Sequence, residues 1–312
     1  MKHPIIVITG PTASGKTSLS LDLAKEFNGE IIAADSITVY RGMDIGTDKV
    51  TIQSSKFKVQ NENSEFKIDG IKHHMLDILG PDEEFNVAIF KELAEEKIKE
   101  IHKRGNVPFL VGGSTLYIDA LVYKYDIPSA KPNLKLRRDL EKKTNEELFG
   151  QLIELDPDAE RTVDKNNKRR LIRALEVCLQ TDKPFTAQKK KQKLPENVLY
   201  LAISRNREEL YERINKRVDE MMAEGFLDEV KKLHKKYDLN TAMQATGYRQ
   251  LVEYLKGDLT LEEAVKKTKQ SHRNYAKRQL TWLNRNKDVI WIENKKEAKE
   301  KIREFIYNLQ PS

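Results

Sequence analysis

The stretch PIIVITGPTASGKTSLSLDLAKEF, residues 4–27, decides the fold. Residues 4–9 form a continuous apolar, β-branched run, the pattern of a strand buried on both faces of a parallel sheet. Leu19, Leu21, Leu23, Ala24 and Phe27 then predict a helix over 15–27, stopped by Asn28 and Gly29. Between the two lie Gly10, Pro11, Thr12, Ala13, Ser14, Gly15, Lys16 and Thr17, which match the P-loop pattern of glycine, four residues, then Gly-Lys-Thr. Each part has a task. The glycines let backbone N–H groups close around phosphate oxygens, and the helix N-terminus adds its positive end. Lys16 supplies a point charge, and the Thr17 hydroxyl is the expected protein ligand to Mg2+. A strand before and a helix after the loop supply the context the pattern requires. The ligand stays open at this level: a nucleotide such as ATP and a prenyl pyrophosphate offer the same pair of phosphates.

Working outward, residues 30–34 read as a second strand with Asp35 at its carboxyl end. A helix is predicted over 87–102, and a strand over 107–111 runs into Gly112 and Gly113. Strands separated by helices predict βαβ units and a parallel sheet, in which ligands bind at the carboxyl ends of the strands. The P-loop, Asp35 and Gly112 would all arrive there. From 132 to 193 the strand signal vanishes and helices dominate, with breaks at Asp156-Pro157 and Lys183-Pro184. A strand over 198–204 follows, then helices over 207–237 and 261–284 and a strand over 289–293. The expected class is therefore α/β, a P-loop NTPase-like parallel sheet core flanked by helices. The core is assigned to 1–130 and 196–312, and a mostly helical insertion domain to 131–195.

The charge distribution fits that division. The chain of 312 residues has a formal net charge of +7, and residues 131–195 alone hold 17 Lys and Arg against 11 Asp and Glu. The rest is nearly neutral, so a basic module is set into a neutral body, which suits a polyanionic partner. One cysteine, Cys178, excludes an intrachain disulfide framework and reads as a small buried hydrophobe. His73 and His74 are adjacent and lack a Cys or acidic cluster, so a structural or substrate-lining role is expected rather than a metal site. Trp282 and Trp291 are expected in the core. The short apolar run at the N-terminus is neither a secretory signal nor a membrane span, so a cytoplasmic protein with no membrane partner is expected, acting as a monomer.

Further blocks carry a resemblance. They are DSITVYRGMDIGT (35–47), GIKHHMLD (70–77), VGGSTLY (111–117), RLIRALEV (170–177), RINKRV (213–218), GYR (247–249) and YAKRQLTW (275–282). Together with the P-loop, and in this order, they resemble the tRNA dimethylallyltransferases (tRNA isopentenyltransferases) over nearly the whole chain. The resemblance implies a reaction: the prenyl group of dimethylallyl pyrophosphate passes to the exocyclic amine of the adenosine just 3′ of the anticodon, releasing pyrophosphate. It implies Asp35 as general base for a weakly nucleophilic amine, with Mg2+-sphere carboxylate as the competing role. Lys16, the loop amides and the Ser114 hydroxyl would stabilise the departing pyrophosphate, with Arg217, and Arg213 one turn away, as further phosphate ligands. The partner is the tRNA anticodon stem-loop, its target adenine extruded and met by Asp35, Ser36, Ile37, Thr38 and Ser114. The RNA grip falls to Lys135, Arg169, Arg170 and Arg173 in the insertion, to Gly247, Tyr248 and Arg249, and to Arg273, Lys277 and Arg278, where cations interleave with an aromatic. Relatives commonly carry threonine at 114, glycine at 115, glutamine at 38 and arginine at 135, where this chain has Ser114, Thr115, Thr38 and Lys135.

Two other classes share part of this pattern. A small-molecule or nucleoside kinase has the P-loop, the sheet and an arginine-bearing lid, but gives no reason for the blocks at 247–249 and 275–282. A non-catalytic RNA-binding protein needs neither Lys16 and Thr17 nor Asp35 and Ser114.

Overall fold

The computed structural model describes residues 3–49, 59–62, 65–128, 132–188, 192–237 and 242–309. The chain divides into two compact units, Met1–Val122 with Leu194–Ser312, and Tyr123–Lys193. The Lys189–Lys191 run lies outside the described residues.

The larger unit opens with β1 (Ile5–Thr9), α1 (Lys16–Glu26) and β2 (Gly29–Ala33). Next come β3 (Val59–Glu62), β4 (Glu65–Ile68), β5 (Ile71–His74), α2 (Val87–Lys103), β6 (Val107–Val111) and α3 (Thr115–Val122). The smaller unit holds α4 (Leu134–Glu141), α5 (Asn145–Leu155), α6 (Ala159–Thr162) and α7 (Lys168–Thr181). The larger unit resumes with β7 (Val198–Ile203), α8 (Arg207–Ala223), α9 (Phe226–Lys236), α10 (Tyr248–Leu255), α11 (Leu261–Asn284), β8 (Ile290–Ile292) and α12 (Lys295–Asn308).

Among the described residues the strands form one eight-stranded sheet in the order β3-β4-β5-β2-β6-β1-β7-β8. From β5 to β8 every pair is parallel, as the βαβ reading requires. The central strands are apolar throughout: Ile6, Val7, Ile8, Phe109 and Leu110 are fully buried. One face is covered by Leu23 and Ala24 of α1 and by Ala298 and Ile302 of α12.

The far edge departs from the expected all-parallel sheet. β3, β4 and β5 pair antiparallel, and β4 turns into β5 through Asp69 and Gly70. Both residues have positive φ, 49° and 83°, the backbone of a type I′ two-residue hairpin. That Asp-Gly pair is a readable turn signal, overlooked because the flanking segments are short and carry charged side chains. The helix expected over 207–237 is also two helices, because Gly225 takes a φ of 100° between α8 and α9.

In the smaller unit α5 starts from a reciprocal cap, Thr144 and Glu147 each bonding the other's backbone N–H. The fully buried Glu176 is paired by Arg137 at 2.8 Å and Arg173 at 2.6 Å. Arg173 is therefore committed to this core, whereas Lys135, Arg169 and Arg170 are exposed. Cys178 is buried, as expected.

The sheet centre is tight where β2 and β6 end. A Cβ added at Gly112 would lie 2.0 Å from the Ala34 carbonyl oxygen, and neither group is a side chain able to swing away. Gly112→Ala should destabilise the protein by about 3 kcal/mol through overpacking, read as a lower midpoint in denaturant. A midpoint equal to that of the unsubstituted protein would show that the two strand ends are not locked together.

Candidate active site

β2, β6 and β1 are neighbours, so their carboxyl ends deliver three loops to one place. The loop after β1 is the P-loop. Gly10, Ala13 and Gly15 have φ of 146°, 62° and 93°, the turns that wrap the backbone ahead of α1. Lys16 Nζ donates to the carbonyls of Gly10 at 3.0 Å and Pro11 at 2.8 Å, folding the side chain back over the loop. Burial and then the charge of Arg217 push its pKa down to about 8. Thr17 is exposed on the first turn of α1. Ser14 Oγ is buried without a partner.

The loop after β6 is pinned to both neighbours. Thr9 Oγ1 donates to Gly112 O at 2.8 Å, and Ser114 N donates to Ala34 O at 3.2 Å. Ser114 Oγ accepts the Ser36 N–H at 3.0 Å, and the same hydroxyl is hydrogen-bonded to the Tyr275 phenol. Thr115 begins α3 and is absent from the positive-φ residues, so the turn does not use the backbone freedom of glycine.

The loop after β2 places Asp35 two residues past the strand, where its Oδ1 accepts the Ile37 N–H at 2.9 Å. Two phenols lie in the field of this carboxylate. Burial first, followed by the Asp35 charge for Tyr275 and by Tyr40 and then Asp35 for Tyr117, holds both well above the usual phenol range. Both are neutral donors at ordinary pH. Thr38 Oγ1 is a buried hydroxyl with no partner.

Two residues hold these loops in register, and the motif reading did not single out either. Gln279 is 3% exposed. Its Oε1 accepts the Thr12 N–H at 2.9 Å while its Nε2 donates to Gly113 O at 2.8 Å, so one amide ties the P-loop to the 112–114 loop. Glu229 on α9 does the same for the motif loop. Its carboxylate accepts the N–H groups of Asp44, Ile45 and Gly46 at 2.9, 2.7 and 3.2 Å, and the Tyr248 hydroxyl at 2.7 Å. Beyond that anchor, Arg217 donates to Thr47 O at 3.1 Å and to Thr12 Oγ1 at 2.9 Å, and pairs with Asp48 at 3.1 Å. Arg217 thus joins the P-loop to the motif loop. Nothing in FLDEVKKLHKK marks Glu229 as other than a surface carboxylate.

The residues expected at RNA divide. Arg249, Lys277 and Arg278 are exposed, with Arg278 over the Tyr275 ring at 5.7 Å. Tyr248 is instead fully buried, edge-on to Phe226 and bonded to Glu229, so its aromatic face is spent on packing. Gly247 is buried beside the same Phe226 ring. Arg273 is half committed, donating to Asn215 and to Gln270. Arg213 pairs with Glu209 on the α8 surface at 3.5 Å and not with the P-loop. His73 Nδ1 lies 2.8 Å from Ile71 O and His74 Nε2 lies 2.6 Å from Glu30, the structural role expected. Trp282, expected in the core, is 39% exposed.

Glu229→Ala strands three backbone donors and a phenol at once. The expected loss is on the order of 2 kcal/mol of stability, with Glu229→Gln intermediate, both measured by chemical denaturation. An alanine variant of undiminished stability would show that the loop does not need this anchor.

Residues 38–286 match the family model described as IPP transferase. The chain is 42% identical over 301 residues to the tRNA dimethylallyltransferase of Halalkalibacterium halodurans, covering 94% of this chain and 92% of that protein. It is 43% identical over 298 residues to the enzyme of the same name from Staphylococcus epidermidis, covering 92% and 86%. Among solved structures, the tRNA isopentenylpyrophosphate transferase of Bacillus halodurans superposes with a TM-score of 0.70 at 39% identity, covering 98% and 96%. A eukaryotic dimethylallyltransferase solved acting on tRNA superposes with a TM-score of 0.80 at 28% identity, covering 99% and 80%. With a P-loop, a carboxylate and a hydroxyl-bearing loop meeting at three adjacent strand ends, and with these relatives along nearly its full length, the chain belongs to the IPP transferase family, the tRNA dimethylallyltransferases.

Proposed function

We propose that this protein transfers the dimethylallyl group of dimethylallyl pyrophosphate to the exocyclic amine of the adenosine 3′-adjacent to the anticodon of tRNA, as a monomer and with Mg2+. The observation that carries this reading is the meeting of Asp35 with a phosphate cradle across one row of strand ends.

In the reaction the amine nitrogen bonds to the allylic carbon as the carbon–oxygen bond to pyrophosphate breaks. The departing oxygen keeps the electron pair, and Asp35 takes the proton from the amine. Lys16, Arg217 and the loop amides stand where negative charge accumulates, preorganised by the bonds to Gly10, Pro11 and Thr12. The Ser114 hydroxyl, which is also hydrogen-bonded to the Tyr275 phenol, is a further donor in this reading, on the loop bonded to Ser36. The described residues contain no group of three or more His, Cys, Asp or Glu able to cage a metal. The donor set fits Mg2+ all the same, because this ion keeps its waters and is held through substrate phosphates with few protein oxygens, here the Thr17 hydroxyl. Bound there, it would neutralise pyrophosphate charge. Lys135, Arg169 and Arg170 on the smaller unit and Arg249, Lys277 and Arg278 on the larger are exposed, and in this reading they are cations for the phosphodiester backbone.

No helix among the described residues is long and apolar enough to cross a membrane.

Two outcomes test the assignment. Asp35→Asn keeps the shape and removes the base, so kcat for prenyl transfer should fall by about 100-fold or more while the Kd for unmodified tRNA holds. Full activity would remove Asp35 from the chemistry. Lys16 carries its charge below its pKa of about 8 and loses it above. The KM for dimethylallyl pyrophosphate should therefore rise as pH climbs through that value, with kcat at saturation less affected. A flat KM across this range would take the Lys16 ammonium out of substrate binding.

A further inference from the structure

We propose that Trp282 is a fixed stacking platform for an unpaired base of the RNA substrate, flanking the extruded adenine; this rests on the tRNA reading above. The indole is 39% exposed, yet it is not a loose surface side chain. Its Nε1–H donates at 2.7 Å to Oδ2 of Asp119 on α3, a carboxylate only 3% exposed. The other Asp119 oxygen accepts the Tyr200 hydroxyl from β7 at 2.9 Å. One edge of the ring is thus tethered to the buried core while apolar surface faces solvent. A tethered ring has already lost its rotamer freedom, so stacking on it costs little further entropy.

The surroundings select the occupant. Residues 277–287, KRQLTWLNRNK, carry four cations and no acidic residue. Arg278 and Arg285 lie one turn to either side of Trp282 on its helical face, and both are exposed. An aromatic face bracketed by guanidinium groups suits a base between two phosphates, and repels a basic or purely apolar partner. The position is also right. Tyr275, whose hydroxyl lies 3.4 Å from Gly113 O, sits seven residues earlier on the same face of α11, about 10 Å along the axis. Leu116, 43% exposed and one turn before Asp119 on α3, adds an apolar neighbour directly after the Ser114 loop. A nucleotide next to the one held at Asp35 and Ser114 would meet this ledge on its way out of the site.

Trp282 and Trp291 are the two tryptophans, so Trp291→Phe leaves Trp282 as sole reporter. Titration with an unmodified tRNA transcript should quench its emission and shield it from acrylamide, whereas dimethylallyl pyrophosphate alone should do neither. In filter binding, Trp282→Ala should weaken that tRNA about tenfold, and Trp282→Phe, which keeps a ring and loses the Asp119 bond, should retain most of the affinity. The inference is overturned if tRNA binds while emission and acrylamide access stay unchanged, or if alanine and phenylalanine variants lose affinity equally, which would make the Asp119 bond purely structural. Should alanine prevent folding, the fluorescence titration decides alone. A protein with an intact Trp282 that fails to bind tRNA removes the proposed function and this inference together.

Discussion

A single buried amide holds the chemistry together. Gln279 accepts from the P-loop with one atom and donates to the 112–114 loop with the other, and both partners are backbone groups. A carboxylate could not make both bonds, because it lacks the donor. Together with the Thr9 bond to Gly112 O and the pairing of β1 with β6, this side chain on α11 fixes the distance between the P-loop and Ser114. The same helix carries Tyr275, and its exposed side carries Lys277, Arg278 and Trp282. Helix α11 thus couples the inner geometry of the site to its exposed cationic side, and a shift of that helix would move both.

The motif loop is held on a different plan. Residues 35–49 bring Asp35 to the site, but beyond Ile37 the loop has few ladder bonds of its own. Glu229 supplies what the backbone lacks, gathering three consecutive N–H groups into one carboxylate. Lys49 completes the far end from inside, buried and bonded to Tyr40 O, Asp44 and Asp77. Gly46 has no room for a side chain, since an added Cβ would meet the Phe226 ring at 2.2 Å. With the loop so fixed, Thr47 and Asp48 hold Arg217 against Thr12, and Arg217 and Asp35 share a common frame.

Much of this was legible in the sequence, and the exceptions have physical reasons. The continuous apolar runs at 4–9, 107–111 and 198–204 betray strands buried on both faces, and the P-loop and Asp35 follow from them. The hairpin edge at 59–74 escaped because four-residue strands rich in charge lack periodicity, although Asp69-Gly70 marked its turn. Tyr248 beside Arg249 reads as an RNA contact in one dimension; the fold turns that ring inward onto Phe226. Trp282 erred the other way, since a large aromatic on a helix suggests core, and only the pairing with Asp119 shows that one edge is anchored and the rest is open. Glu229 and Gln279 were not read as anchors because, the Tyr248 hydroxyl apart, the partners named for them are backbone groups more than 160 residues away in the chain. Backbone acceptors and donors leave no trace in side-chain patterns.

We propose that the cradle built on Gly10 to Thr17 holds a pyrophosphate that leaves as a prenyl group passes to an adenine beside Asp35. Incubation of the protein with Mg2+, dimethylallyl pyrophosphate and unmodified tRNA, with ATP in a parallel reaction, followed by mass analysis of the tRNA nucleosides, tests it most directly. One adenosine per acceptor tRNA should carry a dimethylallyl group, with release of inorganic pyrophosphate and no dependence on ATP. Unmodified adenosine, together with transfer of the γ-phosphoryl group of ATP to a small acceptor, would contradict it.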